Sequence, residues 1–427
     1  MTKSYEIPSF MIGAATAAHQ VEGNNIHSDY WVMEHLKHSD FVEPSGIAVD
    51  HYNRFEEDIA LLADAGCNAY RFSIEWARVE PKEGRFCPKA IAHYRDVLLC
   101  CKKYGITPIV TLAHFSSPAW LITKGGWAKE YVVNAFARYA RKVAEELGQH
   151  TPYICTINEA NMGFQLQKIA ADMMNSGKKK EGDVQVGTNT ELNLKNIIFG
   201  MFEQGKAFKC NPFAVNTFLK PRKAEQEKIV MRAHQAAAKE IKAIRPEIKV
   251  GLTLSLFDYQ AVDGGEAEAD KLWYEDFGFY LPYIQDDDFL GVQNYSRKIV
   301  DVKGAREPAP DVAVSQMGYE DYPAAIGHVL RKVAKEYHGE LIVTENGIAT
   351  SDDGRRCEFI CEALDGVMAA KSSGVPVTGY LHWSLLDNFE WQAGFGKTFG
   401  LIAVDRKTQI RYPKESLRVL GSYGNEI

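Results

Sequence analysis

These 427 residues lack most of the features that narrow a function by themselves. No run of about twenty apolar residues occurs, so no membrane span is predicted. No long Lys/Arg block is present, and Asp plus Glu outnumber Lys plus Arg by 56 to 49. That balance gives nothing to attract a nucleic-acid backbone or an anionic membrane, and favours a neutral small-molecule substrate. The opening MTKSYEIPSFMIGAATAAHQ holds only a short, mildly apolar run broken by Glu6, Pro8 and His19, which does not fit a signal peptide, and a cytoplasmic location is expected. The eight cysteines, Cys67, Cys87, Cys100, Cys101, Cys155, Cys210, Cys357 and Cys361, lack the close spacing of a disulfide framework and are read as reduced. Cys357 and Cys361 stand four apart, but without nearby histidines they make a poor zinc site, so no metal is expected. Low-complexity tracts and internal repeats are absent.

What is present is an ordinary globular composition, 46% apolar and 25% charged, arranged in a recurring pattern. Short apolar runs rich in β-branched or aromatic residues alternate with longer stretches of helical periodicity, as in repeated βα units. Eight candidate strands can be counted: Phe10 to Ala17, Cys67 to Ile74, Thr107 to Ala113, Tyr153 to Asn158, Ile248 to Leu254, Phe289 to Gln293, Leu341 to Thr344 and Val377 to His382. Helices are predicted over Asp50 to Ala65, Tyr131 to Leu147 and Ala224 to Ile244, with Gly66, Gly105, Gly148 and Gly374 near helix ends. The fold class is therefore α/β, a (β/α)8 barrel forming a single domain over 1–427. Roughly ninety residues join the fourth and fifth strands, and loops that long are usually functional. About 160–228 is read as an insertion or lid within the domain. It carries KKKEGD at Lys178 to Asp183 and then Phe202, Phe208, Phe213 and Phe218.

In such barrels the active site lies at the C-terminal ends of the strands. Glu159 ends YICTINE on the fourth strand and Glu345 ends LIVTE on the seventh, each beside an asparagine. Cleaving an acetal without a metal calls for a carboxylic acid to protonate the leaving oxygen and a carboxylate to attack or stabilise an oxocarbenium-like centre, and two glutamates supply both. In the retaining geometry they stand about 5 to 5.5 Å apart, and like charges keep one protonated. No organic cofactor is required.

TINEA at Thr156 to Ala160, VTENG at Val343 to Gly347 and WSLLDNFEW at Trp383 to Trp391 together resemble the acid/base, nucleophile and sugar-holding segments of glycoside hydrolase family 1, the β-glucosidase family. The resemblance runs from Phe10 nearly to the C-terminus. It implies a retaining β-glycosidase acting on terminal β-D-glucosyl residues, with β-D-galactosyl or β-D-fucosyl as secondary substrates. It also implies acid/base for Glu159, nucleophile for Glu345, and a bond from Asn158 to the sugar 2-hydroxyl. Arg71 in YRFSIEW and Tyr295 in GVQNY match residues that touch the nucleophile. Gln20 in AAHQVEG, His114 in LAHFSSP, and Trp383, Glu390 and Trp391 match the set that grips the sugar.

Three positions depart from the family pattern. Ala160 stands where proline is usual, Phe115 and Ser116 replace the commoner Trp-Asp beside His114, and Gln293 and Asn294 stand where Asn and Tyr are usual. None removes a catalytic group. The alternatives are a 6-phospho-β-glycosidase, disfavoured because Glu390 would repel a phosphate dianion, and an inactive glycan-binding barrel, disfavoured because both glutamates are present. The sequence leaves room for a homo-oligomer.

Overall fold

Apolar runs that will be covered on both faces become parallel strands, since β-branched and aromatic side chains pack well on a pleated, buried surface. In a computed structural model of the protein, which describes residues 7–176, 185–187, 189 and 194–426, all eight predicted runs do so. They are β1 (Met11–Ala15), β2 (Ala69–Ser73), β3 (Thr107–Ala113), β4 (Tyr153–Ile157), β5 (Lys249–Ser255), β6 (Phe289–Gln293), β7 (Glu340–Asn346) and β8 (Val377–Trp383). The strands pair in chain order, and β8 closes the barrel on β1 with Met11 opposite Gly379 and Ala15 opposite Trp383. Strand spacing is tight where glycine points at a neighbour. A Cβ at Gly13 would lie 1.8 Å from the Ala69 carbonyl oxygen, and one at Gly251 would lie 2.0 Å from that of Phe289.

The outer layer is made of helices whose apolar faces seal the barrel. Those predicted over Tyr131 to Leu147 and Ala224 to Ile244 form with those bounds, and the one predicted over Asp50 to Ala65 spans His51–Asp64. The helix Tyr131–Leu147 buries Val132, Phe136, Tyr139, Val143 and Leu147, the three-to-four spacing of one helical face. Gly66, Gly105 and Gly374 follow helices with φ of 101°, 72° and 96°, conformations that side-chain-bearing residues resist. Gly148 also sits at a helix end, but with an ordinary φ of −57°.

Two features lie outside the predicted pattern. Strand β1 stops at Ala15 rather than Ala17, because Ala17 already caps the short helix Ala18–Val21. Beyond the barrel, Asp258–Ala261, Arg297–Asp301 and Gly304–Ala305 form a small three-stranded sheet, and Ile402–Val404 pairs antiparallel with Arg411–Pro413. The connection from β4 to β5 contains the helices Met162–Ser176 and Leu194–Ala207 before the helix Ala224–Ile244. Lys178 to Asp183 lie outside the described residues. Phe208 and Phe218 are buried there, whereas Phe202 and Phe213 are exposed.

Candidate active site

Strand ends bring the predicted residues together at one mouth of the barrel. Glu345 is the penultimate residue of β7 and is gripped on both oxygens: Arg71, from β2, donates from Nη1 to Oε1 at 2.6 Å, and the Tyr295 hydroxyl donates to Oε2 at 2.7 Å. Burial raises the Glu345 pKa, while Arg71, Tyr295 and Gln293 oppose that rise by stabilising the ionised form. Arg71 is fully buried and also donates to Thr111 Oγ1 at 3.0 Å and Asn158 Oδ1 at 2.5 Å, so its guanidinium is fixed from three strands.

Glu159 has the opposite surroundings. It follows β4 with a φ of 43°, and β5 secures its backbone: its N–H donates to Thr253 Oγ1 at 2.8 Å, and that of Ala160 donates to the Thr253 carbonyl at 3.0 Å. Proline at 160 would have no such N–H. Alanine at this position therefore adds a hydrogen bond to the backbone after Glu159. The carboxyl itself is buried, and neither oxygen makes a full hydrogen bond among the described residues, the Ser255 hydroxyl being only a weak neighbour. Burial, then the Glu345 charge, drives the Glu159 pKa well above the ordinary carboxyl value. Two buried carboxyls with opposite surroundings thus face one space, one with donors on both oxygens and one without them.

Asn158 is oriented by its neighbours. Its Oδ1 accepts from Arg71, from Gln293 Nε2 at 2.8 Å and from Thr253 Oγ1 at 3.2 Å. Its Nδ2 lies 3.2 Å from His114 Nε2. Since an amide nitrogen only donates, His114 Nε2 accepts and the neutral ring carries its proton on Nδ1, which has no partner among the described residues. Burial and the Arg71 charge hold the His114 pKa well below the ordinary value. The ring stacks on Trp383 and Trp391, with centroids 5.5 and 6.2 Å away.

At the far end of the same space, Glu390 Oε1 accepts from the Gly187 N–H at 2.9 Å and Oε2 from Gln20 Nε2 at 3.3 Å. Burial raises the Glu390 pKa to about 7, with the Gly187 bond opposing and the Glu345 charge adding to the rise. Gln20 is locked by further bonds to the Phe389 carbonyl at 2.8 Å and Asn388 Oδ1 at 3.1 Å, which leave its Oε1 buried and unpartnered. All ten predicted site residues therefore share one buried cluster.

Sequence reasoning passed over several members of that cluster. Gln293, noted only as a departure, bonds Asn158 and adjoins Glu345. Gln185 donates to Ser255 Oγ and accepts from the Tyr295 N–H, both at 2.7 Å. Gly187 and Tyr319 also belong here. Gln293 ends β6, while Gln185, Gly187 and Tyr319 sit on loops whose composition carries no strand-end signal. Of the two residues that replace the usual wall, Phe115 is buried 5.2 Å from the Trp391 ring, while Ser116 turns away to donate to Glu75.

The sequence pattern described as glycosyl hydrolase family 1 matches residues 4–189 and 279–423. The chain belongs to this family. It is a glycosidase on a TIM barrel, and is 31% identical to beta-glucosidase A of Thermotoga maritima over 95% of each chain. It is 28% identical to a 6-phospho-beta-galactosidase of Clostridium acetobutylicum, over 95% of this chain and 94% of the other. The solved beta-glycosidase BGL167 superposes with a TM-score of 0.88 at 41% identity, covering 98% of this chain and 97% of that one. Residues 190–278 of this family 1 hydrolase, which include the helix Leu194–Ala207 and β5, lie between the two matched segments. Among the described residues no helix is long and apolar enough to cross a membrane, and no group of three or more His, Cys, Asp or Glu could hold a metal.

Proposed function

We propose that this family 1 hydrolase removes terminal β-D-glucosyl residues with retention of configuration, Glu345 acting as nucleophile and Glu159 as acid and then base. The contrast between the two buried carboxyls carries this reading: Arg71 and Tyr295 stabilise the ionised form of one, while burial and its neighbour's charge favour the protonated form of the other. In the first step a Glu345 oxygen bonds C1 as the C1–O bond breaks, and the Glu159 proton passes to the departing oxygen. The Glu345 ester carries no charge, so the part of the rise in the Glu159 pKa that came from repulsion is gone. Glu159, now ionised, takes a proton from water as that water bonds C1, and Glu345 leaves as carboxylate.

Asn158, held by Arg71, Gln293 and Thr253, takes the 2-hydroxyl, where hydrogen bonds strengthen in the transition state. His114 and Gln20 take neighbouring hydroxyls through Nδ1 and Oε1, and Glu390 takes the far end of the sugar. Trp383 and Trp391 offer flat apolar surface to its C–H faces. A phosphorylated sugar is disfavoured, because Glu390 is a buried acid at that end. The connection after β4 walls the outer pocket within a single domain, supported by Gln185 and Gly187 reaching the site. The eight free cysteines suit a reducing, cytoplasmic setting.

Leaving-group dependence tests the two roles. Glu345→Ala should abolish turnover of every substrate. Glu159→Ala should cost about 10²- to 10⁴-fold on alkyl glucosides, yet still form the glycosyl-enzyme from a dinitrophenyl glucoside. Added azide should then speed turnover and give the β-glucosyl azide. An α-azide, or azide rescue of Glu345→Ala instead, would overturn the assignment.

A further inference from the structure

Glu159 has to serve in two forms, protonated in the first step and ionised in the second. A buried carboxylate without donors is costly, so the base needs a hydrogen bond that the acid does not. The charged and titratable groups around it are Glu345 on β7, Arg71 on β2, Glu390 after β8 and the phenols of Tyr295 and Tyr319. Arg71 and Tyr295 are committed to Glu345, the two other carboxyls repel, and neither phenol hydrogen-bonds Glu159. The donor that remains is the hydroxyl of Ser255. Burial and then the Glu345 charge raise the Glu159 pKa, and Ser255 is the next influence, favouring the ionised form.

That hydroxyl is held in place from three directions. Ser255 ends β5 two residues beyond Thr253, on the same face of the strand, and both are buried. Its N–H donates to Asn161 Oδ1 at 3.0 Å, and its carbonyl accepts from Asn161 Nδ2 at 2.7 Å and Gln165 Nε2 at 2.9 Å, so the chain just after Glu159 fixes its backbone. Gln185 orients the side chain. Its Oε1 accepts from the Tyr295 N–H, which can only donate, so its amide nitrogen faces Ser255 and donates to Oγ at 2.7 Å. A hydroxyl that accepts from Gln185 keeps its single proton for another acceptor, and the Glu159 carboxyl stands beside it. One amide therefore joins Tyr295, the donor to Glu345, with the donor that faces Glu159.

We propose that Ser255 is a positioning residue for Glu159: its hydroxyl, turned by Gln185, donates to the carboxylate left when the proton departs with the leaving group, and steadies that carboxylate as the base of the second step. The inference rests on the β-glycosidase reading above and adds a residue that none of the motifs contains. It gives the segment after β4 a part in the chemistry, through Gln185.

The test is a pair of pH profiles for wild type, Ser255→Ala and Ser255→Thr. With n-octyl β-D-glucoside, whose poor leaving group needs the acid, the basic limb of kcat/KM reports Glu159 in the free enzyme. With 2,4-dinitrophenyl β-D-glucoside, which departs without an acid, the acidic limb of kcat reports Glu159 in the glycosyl-enzyme. Loss of a donor to the anion favours the protonated form, so both limbs should move to higher pH in Ser255→Ala, by about one unit. The acidic limb of kcat/KM, which reports Glu345, should stay in place. Ser255→Thr keeps the hydroxyl and should keep all three limbs where wild type has them. Limbs unmoved in Ser255→Ala would overturn the proposal, and so would a shift as large in Ser255→Thr, which would mean that space and not the hydroxyl matters. Movement of the Glu345 limb along with the others would also overturn it, as a general loosening of the site. Thermal midpoints close to wild type confirm that folded proteins are compared. If wild type cleaved neither glucoside, the β-glycosidase reading itself would fail, a result distinct from any outcome for Ser255.

Discussion

Tyr295 touches the proposed nucleophile through one atom, and that atom sets a measurable pH. Its hydroxyl donates to Glu345 Oε2 at 2.7 Å and favours the ionised carboxyl against burial, which raises the pKa. Tyr295→Phe removes the donor and keeps the ring, so the Glu345 pKa should rise. The acidic limb of kcat/KM, where the nucleophile becomes protonated, should then move to higher pH. A hydrogen bond to a charged group contributes about 1.5–3 kcal/mol, which corresponds to a shift of about one to two pH units. The basic limb reports loss of the Glu159 proton and should move little. A pH–rate profile of the free enzyme checks this, and an acidic limb that stays in place would show that Tyr295 does not tune Glu345. At this scale the sequence was most legible for residues in motifs, because Glu159, Glu345, Arg71 and Glu390 each sit in a distinctive string on or after a barrel strand. Gln293 and Gln185 were not, because their roles depend on what lies across the barrel rather than beside them in the chain.

The same contrast holds for elements. All eight strands could be read from apolar runs, since a parallel strand buried on both faces must be apolar nearly throughout. The small sheet Asp258–Ala261, Arg297–Asp301 and Gly304–Ala305 could not, because its residues are largely half-exposed and mixed in character. The connection after β4 was recognisable as an insertion by length alone. Its chemistry shows in Gln185 to Gly187, where one side chain secures the Tyr295 backbone and one amide caps Glu390. Glycine is needed there for space: a Cβ at 187 would stand 2.3 Å from the Glu390 carbonyl oxygen and 2.7 Å from its Cγ. Gly187→Ala must therefore push either the segment or Glu390 out of place. The expected result is a rise in KM for β-glucosides of about tenfold, from a local overpacking strain of one to a few kcal/mol. Steady-state kinetics beside a thermal melt separates this from unfolding. A melt shifted with KM unchanged would show that the segment serves stability rather than the sugar.

For the whole molecule, closure of the barrel depends on joining its first and last parts, and β8 pairing with β1 is only one of the seams. Arg411, on the short strand Arg411–Pro413, reaches back to the first barrel helix and forks onto Asp58 at 2.8 and 3.0 Å, while donating to the Val49 carbonyl at 2.7 Å. His51 Nδ1 lies 2.7 Å from Asp58 Oδ2, and its Nε2 lies 3.1 Å from the Tyr70 hydroxyl, which extends the network to β2. Arg411 and Asp58 are both buried, so removing one charge leaves the other without its partner in a dry site. Asp58→Asn should thus destabilise the fold by about 3–5 kcal/mol, read as a lower denaturation midpoint. The active site, at the strand ends on another part of the molecule, should keep its KM in the fraction that remains folded. The pH dependence has a definite sign. Burial pushes the Asp58 carboxyl up, but the bonds from His51 and Arg411 outweigh it and hold the pKa below the ordinary value. A depressed carboxyl pKa contributes stability that is fully present above the unfolded value and is lost as pH falls through the folded one. The gap in midpoint between wild type and Asp58→Asn should therefore stay constant through neutral pH and shrink only in strong acid, below about pH 4. A gap that closed near pH 6 would mean that the Asp58 carboxyl does not govern the seam.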